Sequence, residues 1–342
     1  MPEQIRPASP GQRRAVVLVG AGILDVLVRP AGPEVFVSGS IPAEEIRLSV
    51  GGDALNEATI LARLGAEVFL QTVIGEDTAG QVILRHCRNC GISLLGHPVR
   101  TGLETGINVV LIQANGERSF LTNPTGSLRS LRLDDLSLSF PPQAGILCLA
   151  SIFVSPHLRT KGLSALFCAA RAQGLTICAD LTRPKHGERL EDLAEALRYV
   201  DFLFPNEGEA IALTGADGVE QAAEQLHRAG VGHVVIKCGA RGCYLRDGQF
   251  AQYVPVASGV RCIDTTGAGD SFAAGFLFAL SRGWDMLACA RFANACGAHA
   301  VASTGSVAWA ESLTSSDVEA LSREALSPLS AVKSCGSPPR RN

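Results

Sequence analysis

The sequence predicts an α/β fold: a doubly wound, mostly parallel sheet with helices on both faces, plus a small β-sheet lid. Two observations carry this prediction. Short apolar runs typical of buried strands alternate with helical patterns along most of the chain, and such alternation favours a parallel sheet covered by helices. Two other stretches, 35–50 and 105–122, read as β-ribbons because no helical pattern separates their strands.

The elements of the larger sheet follow in order along the chain. An apolar run over 15–28 is interpreted as a buried first strand. A long helix over 53–64 follows and ends at Gly65, as helices often end at glycine. In sheets of this kind the ligand crevice lies beyond the carboxyl ends of the strands. The later strands are predicted over 68–73, 146–150, 176–179, 202–204 and 234–237, and the later helices over 78–89, 163–173, 190–199, 207–213 and 219–229.

The two β-ribbons interrupt this rhythm and are predicted to cover the crevice as a lid. The second ribbon contains Asn115-Gly116, a dipeptide typical of hairpin turns. Both ends of the chain are rich in Pro and polar residues, which predicts disordered tails. The chain thereby divides into an α/β domain over 13–34, 51–104 and 124–326, a lid over 35–50 and 105–123, and tails over 1–12 and 327–342.

Composition and charge exclude several classes of function. The chain of 342 residues carries a net charge of −3 with 5% aromatic residues, so it lacks both the basic footprint and the stacking platforms of nucleic-acid binding. The apolar run after Arg13-Arg14 could mimic an export signal, but Asp25 interrupts it and it is too short to span a membrane. We therefore expect a cytoplasmic protein that binds neither nucleic acid nor membranes.

The cysteines point to free thiols. The 11 Cys form an odd count without framework spacing, which is typical of a reducing compartment. Cys87 and Cys90 have CxxC spacing and follow His86, but no second ligand pair completes a zinc site. We interpret these two as thiols on a helix surface.

The segment 264–272, Asp-Thr-Thr-Gly-Ala-Gly-Asp-Ser-Phe, is predicted to carry the chemistry. A glycine-rich turn opens directly into an apolar helix, whose first amides lack intrahelical partners and form an anion site with the helix dipole. Asp270 lies in that first turn. Free amides beside a carboxylate suit phosphoryl transfer, which needs donors for the phosphoryl oxygens and an acceptor for the hydroxyl proton. The alternative for so short a motif is an ordinary capped helix.

This segment resembles the carboxyl-terminal signature of the PfkB, or ribokinase-like, carbohydrate kinase family. Gly-Gly-Asp-Ala-Leu-Asn-Glu-Ala over 51–58 is similar to the family's amino-terminal signature, and close to a poorly characterised bacterial group of sugar kinases with that motif. Ile-Gly-Glu-Asp-Thr-Ala-Gly over 74–80 and Asn-Glu-Gly-Glu over 206–209 resemble further family elements. The resemblance runs from about 16 to 305 and implies a ribokinase-like fold and an ATP-dependent kinase.

For the reacting groups, the resemblance implies a role for each matching residue. Asp270 matches the catalytic base, and Gly267, Ala268 and Gly269 match the anion hole. Asn206 and Glu209 match residues that organise Mg²⁺, largely through water, and the triphosphate. For this last pair the alternative is a helix cap with its capping-box partner, which fits the spacing equally well.

The nucleotide is expected to lie against a second group of residues. Lys237 ends a predicted strand, and a lysine there is costly unless it is paired or faces a cleft, so we expect a phosphate contact. The resemblance adds Gly239 and Gly242, in a loop beside the nucleotide, and Asn294 near the adenine. It also implies a possible K⁺ site, built from carbonyls at Asp264 and in 300–305.

The acceptor side of the crevice is implied by a third group. The resemblance gives Asp25, at the end of the first strand run, Gly51, Gly52, Asp53 and Asn56 as sugar contacts. An ionised carboxylate at Asp25 would accept two hydrogen bonds from a vicinal diol. Ribokinases carry Lys where this chain has Asp53, which argues against simple ribose.

Several readings of the substrate stay open. A primary hydroxyl of a sugar or sugar acid is expected as the acceptor. The alternatives are a nucleoside, for which the chain offers few aromatic walls, a sugar phosphate, and a non-catalytic sugar-binding regulator. Lid ribbons have edges that can pair between subunits, so a homodimer is expected. Asn108, Arg118 and Asn123 belong to the predicted lid and could shape specificity.

Overall fold

A computed structural model describes residues 14–114, 117–185, 187–257 and 259–327. The strands are β1 (Ala15–Val19), β2 (Ile23–Arg29), β3 (Glu45–Gly51), β4 (Val68–Gln71), β5 (Ser93–Leu94), β6 (Ile107–Ile112), β7 (Arg118–Thr122), β8 (Ala144–Leu149), β9 (Thr176–Ala179), β10 (Phe202–Leu203), β11 (His233–Lys237), β12 (Cys243–Arg246) and β13 (Ala251–Val254). The helices are α1 (Val35–Ser38), α2 (Asp53–Arg63), α3 (Thr78–Cys90), α4 (Thr160–Ala172), α5 (Leu190–Leu197), α6 (Glu207–Thr214), α7 (Val219–Arg228), α8 (Ala268–Ser281), α9 (Met286–Val301), α10 (Ala308–Glu311) and α11 (Ser315–Leu326).

The larger sheet confirms the predicted α/β architecture. Its strand order is β13-β12-β11-β10-β9-β8-β1-β4-β5. The pairs from β11 to β5 are parallel, and β12 and β13 extend the sheet antiparallel. β1 lies near the centre and is wholly buried, with Val16 in register with Val68 on one side and Ile146 on the other.

Two apolar layers sandwich this sheet, because successive side chains of a strand point to opposite faces. Val16 and Leu18 of β1 pack toward the layer that contains α2, α8 and α9. Val17 and Val19 pack toward the opposite layer, which contains α4, α5 and α7. Helices therefore cover both faces, as the sequence predicts.

A second, four-stranded sheet has the order β3-β2-β6-β7. β2 pairs antiparallel with β3 and parallel with β6, and β6 pairs antiparallel with β7. Polar residues from all four strands lie in one register row: Ser49, Asp25, Asn108 and Thr122.

The interpretation of 15–28 as one buried strand is wrong. β1 ends at Val19, and β2 starts at Ile23 in the other sheet. Gly20 and Gly22 mark the break, where a Cβ on Gly20 would lie 3.0 Å from Ala54 Cβ and the chain turns closely over α2. Apolar content alone cannot show this change of sheet. Asp25 consequently lies within β2 and not at a strand end, and residues 23–29 join the small sheet instead of the α/β domain.

The first predicted ribbon is only half strand. Residues Val35–Ser38 form the short helix α1, which ends at Gly39 in the left-handed region, and β3 follows. The Asn115-Gly116 turn lies outside the described residues, although the flanking β6 and β7 are antiparallel. The predicted tail over 1–12 also lies outside them, as does all of the predicted tail over 327–342 except its first residue. Within the described part of the chain, no helix has the length and apolar character needed to cross a membrane.

Candidate functional site

The turn before α8 is held open by its glycines. Gly267 has φ 70°, in the left-handed region, and a Cβ there would lie 2.4 Å from the Ser306 carbonyl oxygen. Glycine is therefore required at this position. The amide of Ala268 donates a 3.3 Å hydrogen bond to the Thr265 carbonyl, whereas in the described part of the chain the Gly269 amide has no acceptor. This unpaired donor at a helix start is what an anion site needs.

Asp264 fixes the shape of the same turn. Its carboxylate accepts hydrogen bonds from the Thr266 amide (2.9 Å) and hydroxyl (2.7 Å) and from the Gly305 amide (3.0 Å). Arg118 of β7 forms an ion pair with it at 2.6 Å. Burial raises the pKa of Asp264, but these hydrogen bonds outweigh burial and lower it. The side chain is thus a structural anchor, and the predicted K⁺ role of its carbonyl stays a prediction.

Asp270 lies in the first turn of α8 and faces α2. The Asn56 amide donates to Asp270 Oδ2 at 2.7 Å. Ser306 Oγ donates to Asn56 Oδ1 at 3.2 Å, and this second bond fixes the orientation of the Asn56 amide. Desolvation and the nearby charge of Asp53 raise the pKa of Asp270 to about 7, against the opposing effects of Asn56 and Lys237. A carboxylate with a pKa near neutrality can accept a proton from a hydroxyl at physiological pH.

The start of α2 carries a second carboxylate toward Asp270. Gly52 has φ 93°, and a Cβ there would lie 2.5 Å from the Ala21 carbonyl oxygen, so the chain enters the helix through a turn that only glycine fits. Asp53 follows directly and accepts a hydrogen bond from Ser151 Oγ. Two of the predicted residues, Asp53 and Asn56, therefore act directly on Asp270, and Gly52 shapes the turn before them.

Asp25 lies on the polar row of the second sheet. Thr122 Oγ1 donates to Asn108 Oδ1 at 2.6 Å, and Asn108 in turn bonds to Asp25. Burial raises the pKa of Asp25 to about 6, despite the lowering effect of this bond. Asp25 Oδ1 is buried without a hydrogen-bond partner among the described residues. A Cβ on Gly51 would lie 2.2 Å from Asp25 Oδ2, so the glycine leaves room for this carboxylate.

Lys237 ends β11 beside the start of α8. Its amine pairs with Asp180, and a Cβ built on Gly269 would lie 3.5 Å from Lys237 Nζ. Burial lowers the pKa of Lys237, but the charges of Asp180 and Glu209 outweigh it and raise the pKa, so the amine stays protonated. The sequence analysis did not pair Asp180 with Lys237, because the two residues are 57 positions apart.

Asn206 and Glu209 form the capping box of α6, the alternative that the spacing left open. Asn206 Oδ1 accepts the Glu209 amide at 2.9 Å, and Glu209 Oε2 accepts the Asn206 amide at 2.8 Å. Burial raises the pKa of Glu209, although the charge of Lys237 and the Asn206 amide oppose it. The capping bond uses one carboxylate oxygen. The other oxygen suits Mg²⁺, which prefers oxygen ligands and keeps much of its water.

The other predicted nucleotide residues have structural roles that are visible. Gly239 and Gly242 flank the turn between β11 and β12, and a Cβ on Gly242 would lie 2.1 Å from the Val254 carbonyl oxygen. Asn294 is buried on α9 and donates to the same carbonyl at 2.8 Å. It thereby anchors the end of β13. Contacts of these three residues with a nucleotide stay predictions.

Glu57 is a buried acid that the sequence analysis passed over. It is wholly buried one turn after Asp53, and its Oε1 has no hydrogen-bond partner among the described residues. Burial, followed by the charges of Asp180 and Asp270, raises its pKa well above the ordinary value. The available signal was its spacing, since residues four apart share one face of a helix.

The CxxC pair lies away from this cleft, on α3. Cys87 is buried, so the interpretation of both thiols as surface groups is wrong for Cys87, while Cys90 is half-buried. His86 Nε2 lies 2.8 Å from Thr59 Oγ1 and 3.6 Å from Cys90 Sγ. No cluster of three or more His, Cys, Asp or Glu side chains able to hold a metal occurs in the described ranges.

Comparisons with known proteins agree with this geometry. The pfkB family carbohydrate kinase profile matches residues 14–312. The chain is 28% identical to a cytidine kinase from Thermococcus kodakarensis over 81% of this chain and 92% of that one. It is 27% identical to a 2-dehydro-3-deoxygluconokinase from Haemophilus influenzae over 74% and 86%. An Arabidopsis thaliana ribokinase complexed with ribose and ATP superposes with a TM-score of 0.76 and 26% identity over 91% and 99%.

The family match covers most of the chain, and the superposition shows that this chain has the ribokinase-like fold, with a large mostly parallel sheet and a smaller second sheet. The chain therefore belongs to the pfkB family of carbohydrate kinases, phosphotransferases with an alcohol group as acceptor.

Proposed function

We propose that this kinase transfers the γ-phosphoryl group of ATP to a primary hydroxyl of a sugar or sugar acid, with Asp270 as the general base. The observation that carries the proposal is the position of Asp270. It lies in the first turn of α8 with its pKa raised to about 7, one residue after the Gly269 amide, which has no acceptor in the described part of the chain. A proton acceptor and an anion site thus adjoin each other.

The transferring group would meet positive partners on one side of Asp270. The anion hole of Gly267, Ala268 and Gly269, together with the protonated Lys237, would stabilise the phosphoryl charge. Mg²⁺, organised through water by Glu209 and Asn206, would neutralise the triphosphate. A K⁺ ion held by carbonyls at Asp264 and in 300–305 would support the same turn. Gly239, Gly242 and Asn294 would border the nucleotide.

The acceptor would lie on the other side of Asp270. Asp25 would accept hydrogen bonds from a diol, because one of its buried oxygens has no partner within the described ranges. Asp53 and Asn56 would orient the sugar, with Gly51 and Gly52 giving the backbone close approach. The second sheet would close over the sugar and exclude water, which limits wasteful hydrolysis of ATP.

A cytoplasmic location is part of the proposal. Its support is the state of the cysteines, because the ten Cys within the described ranges are all free thiols. Free thiols are typical of proteins in a reducing compartment.

A screen of acceptors tests the proposed function. ADP release would be measured with Mg²⁺ and ATP across hexoses, pentoses, sugar acids, nucleosides and sugar phosphates. We expect release that depends on a sugar or sugar acid. Turnover of nucleosides alone would instead favour the rival acceptor class. Absence of acceptor-dependent release from every compound would favour a sugar-binding regulator.

A further inference from the structure

A pocket of about 330 Å³ lies between the segment that follows β8 and the segment that contains Lys185 and Glu188. Its floor is apolar and includes Phe153, Leu163 and Leu193. The segment after β8, the start of α4 and the segment before α5 form its walls, and a short turn at Ser127–Arg129 closes one side. None of its lining residues belongs to the sugar or nucleotide contacts described above.

The pocket adjoins the catalytic cleft through two consecutive residues. Ser151 donates to Asp53 in the cleft, and Ile152 lines the pocket. The Ile152 amide also donates to the Asp180 carbonyl at 3.0 Å, which fixes this segment beside the cleft. The charge of Asp53 also acts on Lys185 in the pocket wall, so this end of the pocket lies near the acceptor side of the cleft.

The pocket wall has three cationic side chains and two carboxylates. Arg129, Arg159 and Lys185 line it together with two carboxylates, Glu188 and Asp192. Both carboxylates already accept backbone amides at 2.8 Å, Glu188 from Lys185 and Asp192 from Arg189. In the described part of the chain, the Arg129 guanidinium makes no hydrogen bond or ion pair.

Arg129 and Lys185 lie close enough to repel each other. Burial, followed by the charge of Arg129, lowers the pKa of Lys185, while Asp53 and Glu188 act against this. Two neighbouring cations above an apolar floor are stabilised by an anion that both can bind. Arginine suits this role because its planar fork binds carboxylate and phosphate groups through two parallel hydrogen bonds.

We propose that the acceptor is a polyol with an anionic oxyacid group, carboxylate or phosphate, which Arg129 and Lys185 bind while its hydroxyl end lies at Asp270. This inference rests on the proposed function and names its substrate class. The apolar floor would contact the carbon chain between the two polar ends. Two cations, Arg129 and Lys185, would offset the charge of Asp53, which also acts on Lys185.

The test compares charged and neutral acceptors of equal carbon length. ADP release would be measured for aldonates against the corresponding aldoses, and for sugar monophosphates against their parent sugars. We expect a kcat/KM at least about tenfold higher for one anionic group, since charge-assisted bidentate bonds are the strong ones. The comparison of aldonates with aldoses tests a carboxylate, and the comparison of sugar monophosphates with their parent sugars tests a phosphate.

Neutral variants of the pocket complete the test. Arg129→Met and Lys185→Met should each raise the KM of the anionic acceptor roughly tenfold, with the KM of ATP unchanged. Lys161→Met, an exposed lysine of α4 outside the pocket, is the matched control and should change neither. The inference is overturned if neutral sugars or nucleosides are the better acceptors, or if Arg129→Met and Lys161→Met behave alike. Failure of the proposed function differs from both results, because no sugar or acid would then release ADP.

Discussion

Two carboxylates of the cleft, Asp25 and Asp270, have raised pKa values for one shared reason, which is burial. Their surroundings then give the two carboxyl groups different pKa values. Asp270 faces Asn56 and the charge of Asp53, and its pKa reaches about 7. Asp25 faces Asn108, has a pKa of about 6 and has one oxygen without a hydrogen-bond partner among the described residues. The difference suits a base for the reacting hydroxyl in one case and an ionised hydrogen-bond acceptor in the other.

Asp25 predicts a pH dependence of sugar binding. Its pKa is raised from 3.8 to about 6, so below pH 6 the carboxyl is protonated and loses acceptor capacity. The acceptor KM, measured at saturating ATP, should rise as pH falls below 6 and level off above it. Asp25→Asn should raise the KM at neutral pH and remove this dependence. An unchanged pH profile in the variant would move Asp25 out of the sugar site.

Residues of the candidate site could be predicted where they stand in short sequence motifs. Asp270, Gly267 and Asp53 stand in short motifs, and the structure brings them together. The partners of these residues and of Lys237 were not predictable. Ser151, Ser306 and Asp180 come from distant segments, and a hydroxyl or carboxylate in a loop carries no periodic signal that would reveal its contact.

At the scale of elements, the start of α8 depends on one glycine. Gly267 combines a left-handed backbone with contact against Ser306. Gly91, at the end of α3, has φ 71° but no atom within 4 Å of a built Cβ. Both glycines have a left-handed backbone, but only at Gly267 would an added Cβ collide with a neighbouring residue.

This pair makes a matched prediction. Gly91→Ala should cost about 1–2 kcal/mol of unfolding free energy from backbone strain and leave kcat unchanged. Gly267→Ala should cost more, because the turn must also shift away from Ser306, and should lower kcat by disturbing the anion site. Denaturant unfolding and steady-state kinetics check both. Equal stability and full activity of the two variants would show that the turn is not constrained as described.

The elements themselves were largely predictable from periodicity. The helices α2, α3 and α7 and the buried strands β8, β9 and β11 follow the expected pattern. The division of 15–28 into β1 and β2 was not, because both strands are apolar and a change of sheet leaves no trace in hydrophobicity. Helix α1 was missed for a related reason, since a run of Val, Phe and Val has strand propensity.

At the scale of the molecule, the second sheet exposes apolar side chains on the face opposite the polar row. The polar row with Asp25 and Asn108 lies one residue away from a row of Leu48, Val26, Val109 and Leu121, which therefore points to the opposite face. Leu48 and Leu121 are each 61% exposed, and Ile46 nearby is 71% exposed. Exposed apolar surface of this kind marks an interaction site.

We propose that this face joins two copies of the chain in a homodimer. Leu48→Glu should convert the dimer to monomer, as measured by light scattering after size-exclusion chromatography, because a charge would be buried in the apolar contact. Leu138→Glu, at an exposed leucine of the α/β body, is the control and should leave the dimer intact. A wild-type monomer at micromolar concentration would contradict the proposal.

The second sheet and the α8 turn are also connected within one chain. Arg118 of β7 pairs with Asp264, which shapes the turn that carries Gly267. Any movement of the sheet over the sugar would thus act on the anion site. The central claim for the whole assembly is that Asp270 accepts the proton of the attacking hydroxyl at that site.

The most direct measurement is kcat of Asp270→Asn at saturating ATP and acceptor, together with the Kd of ATP. We predict that kcat falls by about 100- to 10,000-fold, the usual contribution of a general base, while the Kd of ATP changes little. Asp285→Asn is the matched control, because Asp285 caps α9 through the Ala288 amide and Asn caps helices equally well. A loss of less than about tenfold in Asp270→Asn, with the control unchanged, would contradict the assignment of the base.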